Sequence, residues 1–333
     1  MIDYRSKEIK IILVLLILTS IFFWKVVINP GKMIYPAYDM ADNVEPMKLL
    51  QYQSFQKYGT LPLWNPYETG GSTFVGSILS AMYYPTNLLY FFINPDYLLG
   101  YIFALDIFLA GMFMYLLCKS IKLDNYSSIL SAVVYMFSGI FISRMNIGHP
   151  QVVDIFSLMP LLFLFFIKAF ERNNWKYAAL AGIVLGFQIL AGYPQYAIYS
   201  AYALAAYFLY DIFVGKKISS KRFARQTVLF GIVILIAFIV SAVQLLPSFE
   251  LSKYAIHAGS SMSYEFITSD ANSYALTPRY IVSFIFPDFF GFRLDHTYWA
   301  TEQFEEVTAY IGILPLILSL LAVMFERNKY TLF

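Results

Sequence analysis

Eight stretches of this chain are long and apolar, and they constrain the fold before any motif is considered. A helix crossing about 30 Å of hydrocarbon at 1.5 Å per residue needs roughly 20 mainly apolar residues. The runs cover 9–28, 97–118, 126–142, 152–170, 177–191, 196–213, 227–246 and 308–325, the fifth being short. Two more, 74–93 and 280–290, are interrupted or bounded by Pro85 and Pro287, which suits interfacial or re-entrant helices as well as crossings. The runs are continuous rather than alternating, so a lipid-facing β-barrel is not indicated. Only 13% of the 333 residues are charged, against about 25% in typical globular domains. A soluble enzyme and a disordered chain are therefore excluded. A net charge of +2 leaves no excess for a nucleic-acid binder. The single cysteine, Cys118, excludes a disulfide framework and a cysteine-rich metal site.

The expected architecture is an all-α polytopic membrane protein, a single membrane-embedded domain over 1–333 with about eight transmembrane helices plus interfacial or re-entrant helices. The first run follows Arg5, Lys7 and Lys10 and is not followed by a small-residue cleavage site, so it reads as a retained signal anchor. With the N-terminus inside, the short cytoplasmic segments collect 15 of the 23 basic residues and 6 of the 21 acidic ones. The outer side takes 8 basic and 14 acidic residues, and Asp106 falls within a span. That bias satisfies the positive-inside rule and puts both termini in the cytoplasm.

Two long outer segments follow, 29–96 and 247–307, both rich in Tyr, Trp, Phe and Pro. Aromatic segments of this kind suit a layer meeting headgroups or sugars, and equally an ordinary aromatic belt. The chain also echoes itself. Gly148-His149-Pro150-Gln151 and Gly192-Tyr193-Pro194-Gln195 each precede a helix entering from the outer side. Proline suits a first helical turn, so the echo marks two helix starts, or a cavity that receives His149, Gln151 and Gln195.

The chain has no phosphate-binding loop, dinucleotide fingerprint or zinc-protease motif, and only three histidines. Its conspicuous chemistry is carboxylate on the outer side. In Asp39-Met40-Ala41-Asp42-Asn43-Val44-Glu45, a helix would put Asp39 and Asp42 on one face, able to bind a divalent cation or supply a general base. Acidic residues at a helix N-terminus are the plainer alternative. Glu302, Glu305 and Glu306 form a second group before the last run, either a solvated turn or a second wall of the site. Arg144, Arg279 and Arg293 are outer cations able to hold a phosphate or to pair with loop carboxylates. Asp106, in a span, is costly there and marks function unless it is a neutral, hydrogen-bonded side chain between helices.

Across these residues the chain resembles the YfhO-like bacterial membrane proteins and, more distantly, the polytopic C-type (GT-C) glycosyltransferases. The matching stretches run from about residue 33 to 320. They include the Asp39 region, Leu63-Trp64-Asn65-Pro66 with Gly70-Gly71, and Tyr83-Tyr84-Pro85-Thr86-Asn87-Leu88. The two Pro-Gln motifs, Gln244-Leu245-Leu246-Pro247, Phe286-Pro287-Asp288 and Glu306 with Tyr310-Ile311-Gly312 continue the series. Each motif is weak alone, while their order is fairly specific. Tyr38 stands where the family pattern has glycine, and Tyr193 where it has histidine. Family members are often longer, so the chain reads as a truncated form of such a protein.

The resemblance implies a GT-C-like fold that transfers a sugar outside the cytoplasm from a polyprenyl-phosphate-linked donor to a cell-envelope glycopolymer or glycolipid. Asp39 takes the place of the catalytic base. Asp42, Arg144, His149, Gln151, Gln195, Arg279, Arg293 and Glu306 are the candidates for donor or acceptor binding. A divalent cation on Asp39 and Asp42 is the open cofactor question. The partners expected are the lipid-linked donor, the glycan or lipid acceptor and membrane lipids, with no nucleic acid. A transporter or flippase for a lipid-linked saccharide, or a non-catalytic assembly subunit, is the alternative.

Overall fold

The computed structural model describes residues 2–29, 39–68, 70–213, 219–254, 277–292, 296–300, 304–308, 310–326 and 330. Helices dominate. Helix α1 (Ile2–Phe22) breaks at Phe23 and restarts as α2 (Trp24–Ile28), so the first apolar run is not one straight rod. The segment before the bundle, named the outer segment for its expected side, then gives a π-helical turn, Met40–Val44, and α3 (Glu45–Tyr58). A two-residue hairpin pairs Trp64 with Thr73, and short 3-10 turns cover Ile78–Ser80 and Thr86–Phe91. The bundle follows as α4 (Pro95–Ser120), α5 (Asn125–Met136), α6 (Gly139–Ile147), α7 (Pro150–Arg172), α8 (Trp175–Leu190), α9 (Pro194–Phe213) and α10 (Ser220–Ser252). After a 3-10 turn at Pro278–Phe284 come α11 (Phe304–Val307) and α12 (Ile313–Phe325).

The protein is thus an all-α membrane protein. Among the described residues, four stretches are long and apolar enough to cross a bilayer: α4, residues Asn125–Ile147, α7 and α10. The other four expected runs differ for local reasons. The first is broken at Phe23 and preceded by Arg5, Lys7, Glu8 and Lys10. Helix α9 has the length but carries a row of tyrosines, and α8 and α12 are apolar but short, at 16 and 13 residues. The boundary expected at 247 also moves, because α10 continues through Pro247 to Ser252.

Helix starts obey the local chemistry. The Asn94, Asp124 and Asn174 side chains accept the N–H groups of Asp96, Tyr126 and Lys176, capping α4, α5 and α8. Helix α7 is the centre of the bundle. One face joins a core with α8, α9 and α10 through Val152, Ile155 and Phe166. Val153 joins the other core, which gathers α1, α4, α5 and α6. Small residues set the closest approaches. Gly182 and Gly186 of α8 receive Ile236 and Val240 of α10, so a Cβ at either would clash at 2.7 Å. The outer faces of α1 and α10, with Leu235, Phe238 and Ile239 exposed, present the apolar surface that a bilayer would cover.

Pro160 inside α7 cannot donate to the Phe156 carbonyl. The Tyr135 hydroxyl donates to that carbonyl at 2.7 Å from α5. Tyr135→Phe is expected to leave the carbonyl unpaired and cost about 1–3 kcal/mol, read as a lower thermal midpoint in detergent with unchanged helix content.

Candidate functional site: an acid–histidine–arginine chain in a cavity

The echo motifs are the hinge on which the outer segment is seated. Gly148 ends α6 and Gly192 follows α8, both in the left-handed region with φ of 91° and 94°. Each is followed by a proline that opens the next helix, α7 or α9. Each also lies against the outer segment. A Cβ on Gly148 would meet the Met40 nitrogen at 2.4 Å, and one on Gly192 would meet the Ile78 oxygen at 2.7 Å. Gly148→Ala is therefore expected to displace the backbone beside Asp39. It combines positive-φ strain of about 1–3 kcal/mol with a steric clash. The check is a fall in both the thermal midpoint and any activity of the cavity.

Asp39 immediately precedes the π-helical turn, whose Glu45 N–H reaches the Met40 carbonyl. An ordinary α-turn would have put Asp42 on the face of Asp39. The wider turn instead puts Asn43 beside Asp39 in the cavity wall and leaves Asp42 exposed. Asp42 thus does not line the cavity with Asp39. Among the described residues, no three His, Cys, Asp or Glu side chains gather as a metal-holding group.

What Asp39 meets is His149. The His149 Nε2 lies 2.6 Å from Asp39 Oδ2, and Arg144 Nη1 lies 3.3 Å from His149 Nδ1. Arginine only donates, so Nδ1 is the acceptor and the imidazole proton sits on Nε2, pointing at the carboxylate. Arg144 Nη2 in turn pairs with Glu306 Oε1 at 3.0 Å. The Tyr196 hydroxyl donates to the same oxygen at 3.3 Å, and its ring lies 5.2 Å from the guanidinium. The chain Glu306–Arg144–His149–Asp39 runs from α11 through α6 to the outer segment. It fixes the tautomer and direction of the imidazole and so orients the carboxylate.

Arg144 is only 3% exposed, and its Nε has no acceptor among the described residues. It is committed to this chain and is not an open phosphate clamp. The cavity of about 150 Å³ is lined by Asp39, Asn43, Met47, Leu79, His149, Gln151 and Tyr193. Gln151 donates to the Leu79 carbonyl at 3.2 Å. Gln195 does not reach this wall: it is exposed on the first turn of α9 and donates to the Tyr199 hydroxyl at 2.6 Å. Tyr193 occupies the place expected for it, with its ring 5.9 Å from His149. Arg279 is exposed and donates to the Tyr280 hydroxyl at 3.2 Å, away from the cavity lining. Arg293 and Glu302 lie outside the described residues.

Three buried ionisable groups escaped the sequence reading as a set. Asp106 of α4 faces Asp154 of α7, and Lys48 of α3 acts on Asp154. The signal was partial: Asp106 and Asp154 are carboxylates inside the apolar runs 97–118 and 152–170, while Lys48 sits in the segment between the first two runs with nothing in its spacing to join it to them. Burial pulls the Lys48 ammonium from its ordinary 10.5 to about 7.

No protein-family model matches the chain, and no curated protein matches it.

Proposed function

We propose that the protein is a YfhO-like, multi-pass membrane glycosyltransferase with a GT-C-like arrangement of about eight spans. In this reading both termini are cytoplasmic and the cavity faces outward. A sugar moves from a polyprenyl-phosphate-linked donor to a cell-envelope glycopolymer or glycolipid. The observation that carries the reading is the half-exposed Asp39 carboxylate, held by His149 at 2.6 Å in an open cavity. A carboxylate so oriented can take a proton from an acceptor hydroxyl.

The acceptor oxygen, losing its proton to Asp39, attacks the anomeric carbon, and the bond from that carbon to the donor phosphate breaks. Polyprenyl phosphate leaves with the electron pair, and one displacement inverts the anomeric configuration. The leaving phosphate needs a positive partner, for which a divalent cation or a cation from outside the cavity lining is the candidate. An apolar cavity of about 230 Å³ between α8, α9 and α10 suits the lipid tail. Its lining includes Leu185, Ile189, Phe238 and Leu245, and also Pro194, the neighbour of Tyr193 in the Asp39 cavity.

The test uses purified protein in vesicles carrying a labelled polyprenyl-phosphate sugar. Transfer of label to an envelope acceptor, with inverted configuration, supports the reading. Movement of the labelled lipid across the bilayer without transfer replaces it with a flippase, the function that the buried Asp106 in α4 would favour. Neither transfer nor movement leaves an assembly subunit.

A further inference from the structure

The seam between the outer segment and the bundle holds three ionisable groups that sugar transfer does not use. Asp106 and Asp154 are 0% and 1% exposed, on helices that pack closely against each other. Their carboxyl groups are electrostatic neighbours across the α4–α7 contact. Both oxygens of Asp106 and Oδ1 of Asp154 have no donor among the described residues. Two carboxylates repel and cannot bond to each other; contact between them needs a proton. Lys48 enters from α3, donating to the Ser80 carbonyl at 2.7 Å, with its ammonium 5.3 Å from the Tyr90 ring. The other titratable groups facing the carboxyls are Tyr84 and Tyr90 of the outer segment, and neither supplies a positive charge.

We propose that Asp106, Asp154 and Lys48 form a buried proton-binding site, in which the two carboxyls hold one shared proton and Lys48 balances the remaining charge. With that proton the site is neutral overall. Without it, two negative charges face one positive charge in a wall with little water, which is expensive. Because burial brings Lys48 to about 7, the site's proton content changes near neutral pH. Lys48 follows Met47, which lines the Asp39 cavity, so the proton count bears on how α3 seats beside that cavity. The inference stands whether or not the cavity transfers sugar.

The experiment is infrared spectroscopy of the full chain in lipid, with carboxyl-labelled aspartate separating aspartic acid from glutamic acid. Near neutral pH the expected result is a protonated aspartic-acid band equal to one group per chain. Asp211, the other buried aspartate among the described residues, pairs with Arg222 at 2.6 Å and adds nothing to it. Asp106→Asn should remove the band, leaving Asp154 as a carboxylate against Lys48. A band of zero or of two groups overturns the proposal, and so does a band that survives in Asp106→Asn. A band that appears only once sodium and potassium are removed also overturns it, since a metal cation would then be the ligand. If the variant does not fold, the count of labelled acids in the unaltered chain still decides.

Discussion

With Asp39 as the base of the proposed sugar transfer, Asp39→Asn is expected to lower that transfer by about 10²–10⁴-fold, the usual contribution of a positioned general base. The amide keeps the size of the side chain and can still accept a hydrogen bond from His149 Nε2, which lies 2.6 Å from Oδ2 in the unaltered protein. What it cannot do is take the acceptor proton. Expression, membrane insertion and thermal midpoint should therefore stay close to those of the unaltered chain while turnover collapses. The measurement is initial rate in vesicles with labelled donor, beside a thermal melt of the same preparation. Full activity would remove Asp39 from the chemistry. An equal loss of activity and stability would make its bond to His149 a structural tie.

Lys48→Met should be the most damaging single change to stability outside the hydrophobic cores. It removes the donor to the Ser80 carbonyl and leaves Asp154 without its cation. Leaving a buried acceptor without its donor typically costs about 1–3 kcal/mol, and more for a charged group. The pH dependence gives a second readout. The folded-state amine titrates at about 7 and the unfolded one near 10.5, so between these values the unfolded chain binds the extra proton. Stability from this group consequently rises with pH across that window, by up to about 1.4 kcal/mol per unit. Below about pH 7 both states are protonated and the slope vanishes. Thermal melts in detergent at several pH values should show that rise in the unaltered protein and lack it in Lys48→Met.

The membrane class and the places where helices start were legible because they depend on local composition. Pro150, Pro194 and the caps at Asn94, Asp124 and Asn174 act within a few residues of themselves. Asp39, Arg144, His149 and Glu306 stood out in the sequence as residue types, but their linkage did not. His149 and Asp39 are 110 residues apart, and only the bend at Gly148 against Met40 brings them together. Asp42 falls outside the cavity lining because the α-helical spacing rule does not hold where a π-turn forms. The Lys48–Asp106–Asp154 group was hidden for a related reason: its members sit on three different helices, α3, α4 and α7, and no periodicity within one helix reports a contact between them.

The seating of the outer segment has a consequence for tolerated variation. Gln244 reaches the Val75 carbonyl at 2.9 Å, Gln151 that of Leu79, Lys48 that of Ser80, Gln51 that of Asn87 and Gln56 that of Phe91. Every one of these long side chains grips a main-chain oxygen, which any residue but a rearranged backbone would present unchanged. The gripping residues are therefore poorly replaceable, while the positions they grip are free to drift wherever packing permits. In a saturation screen, intolerance should fall on Gln51, Gln151 and Gln244, and Val75 and Leu79 should accept a broad range of substitutions.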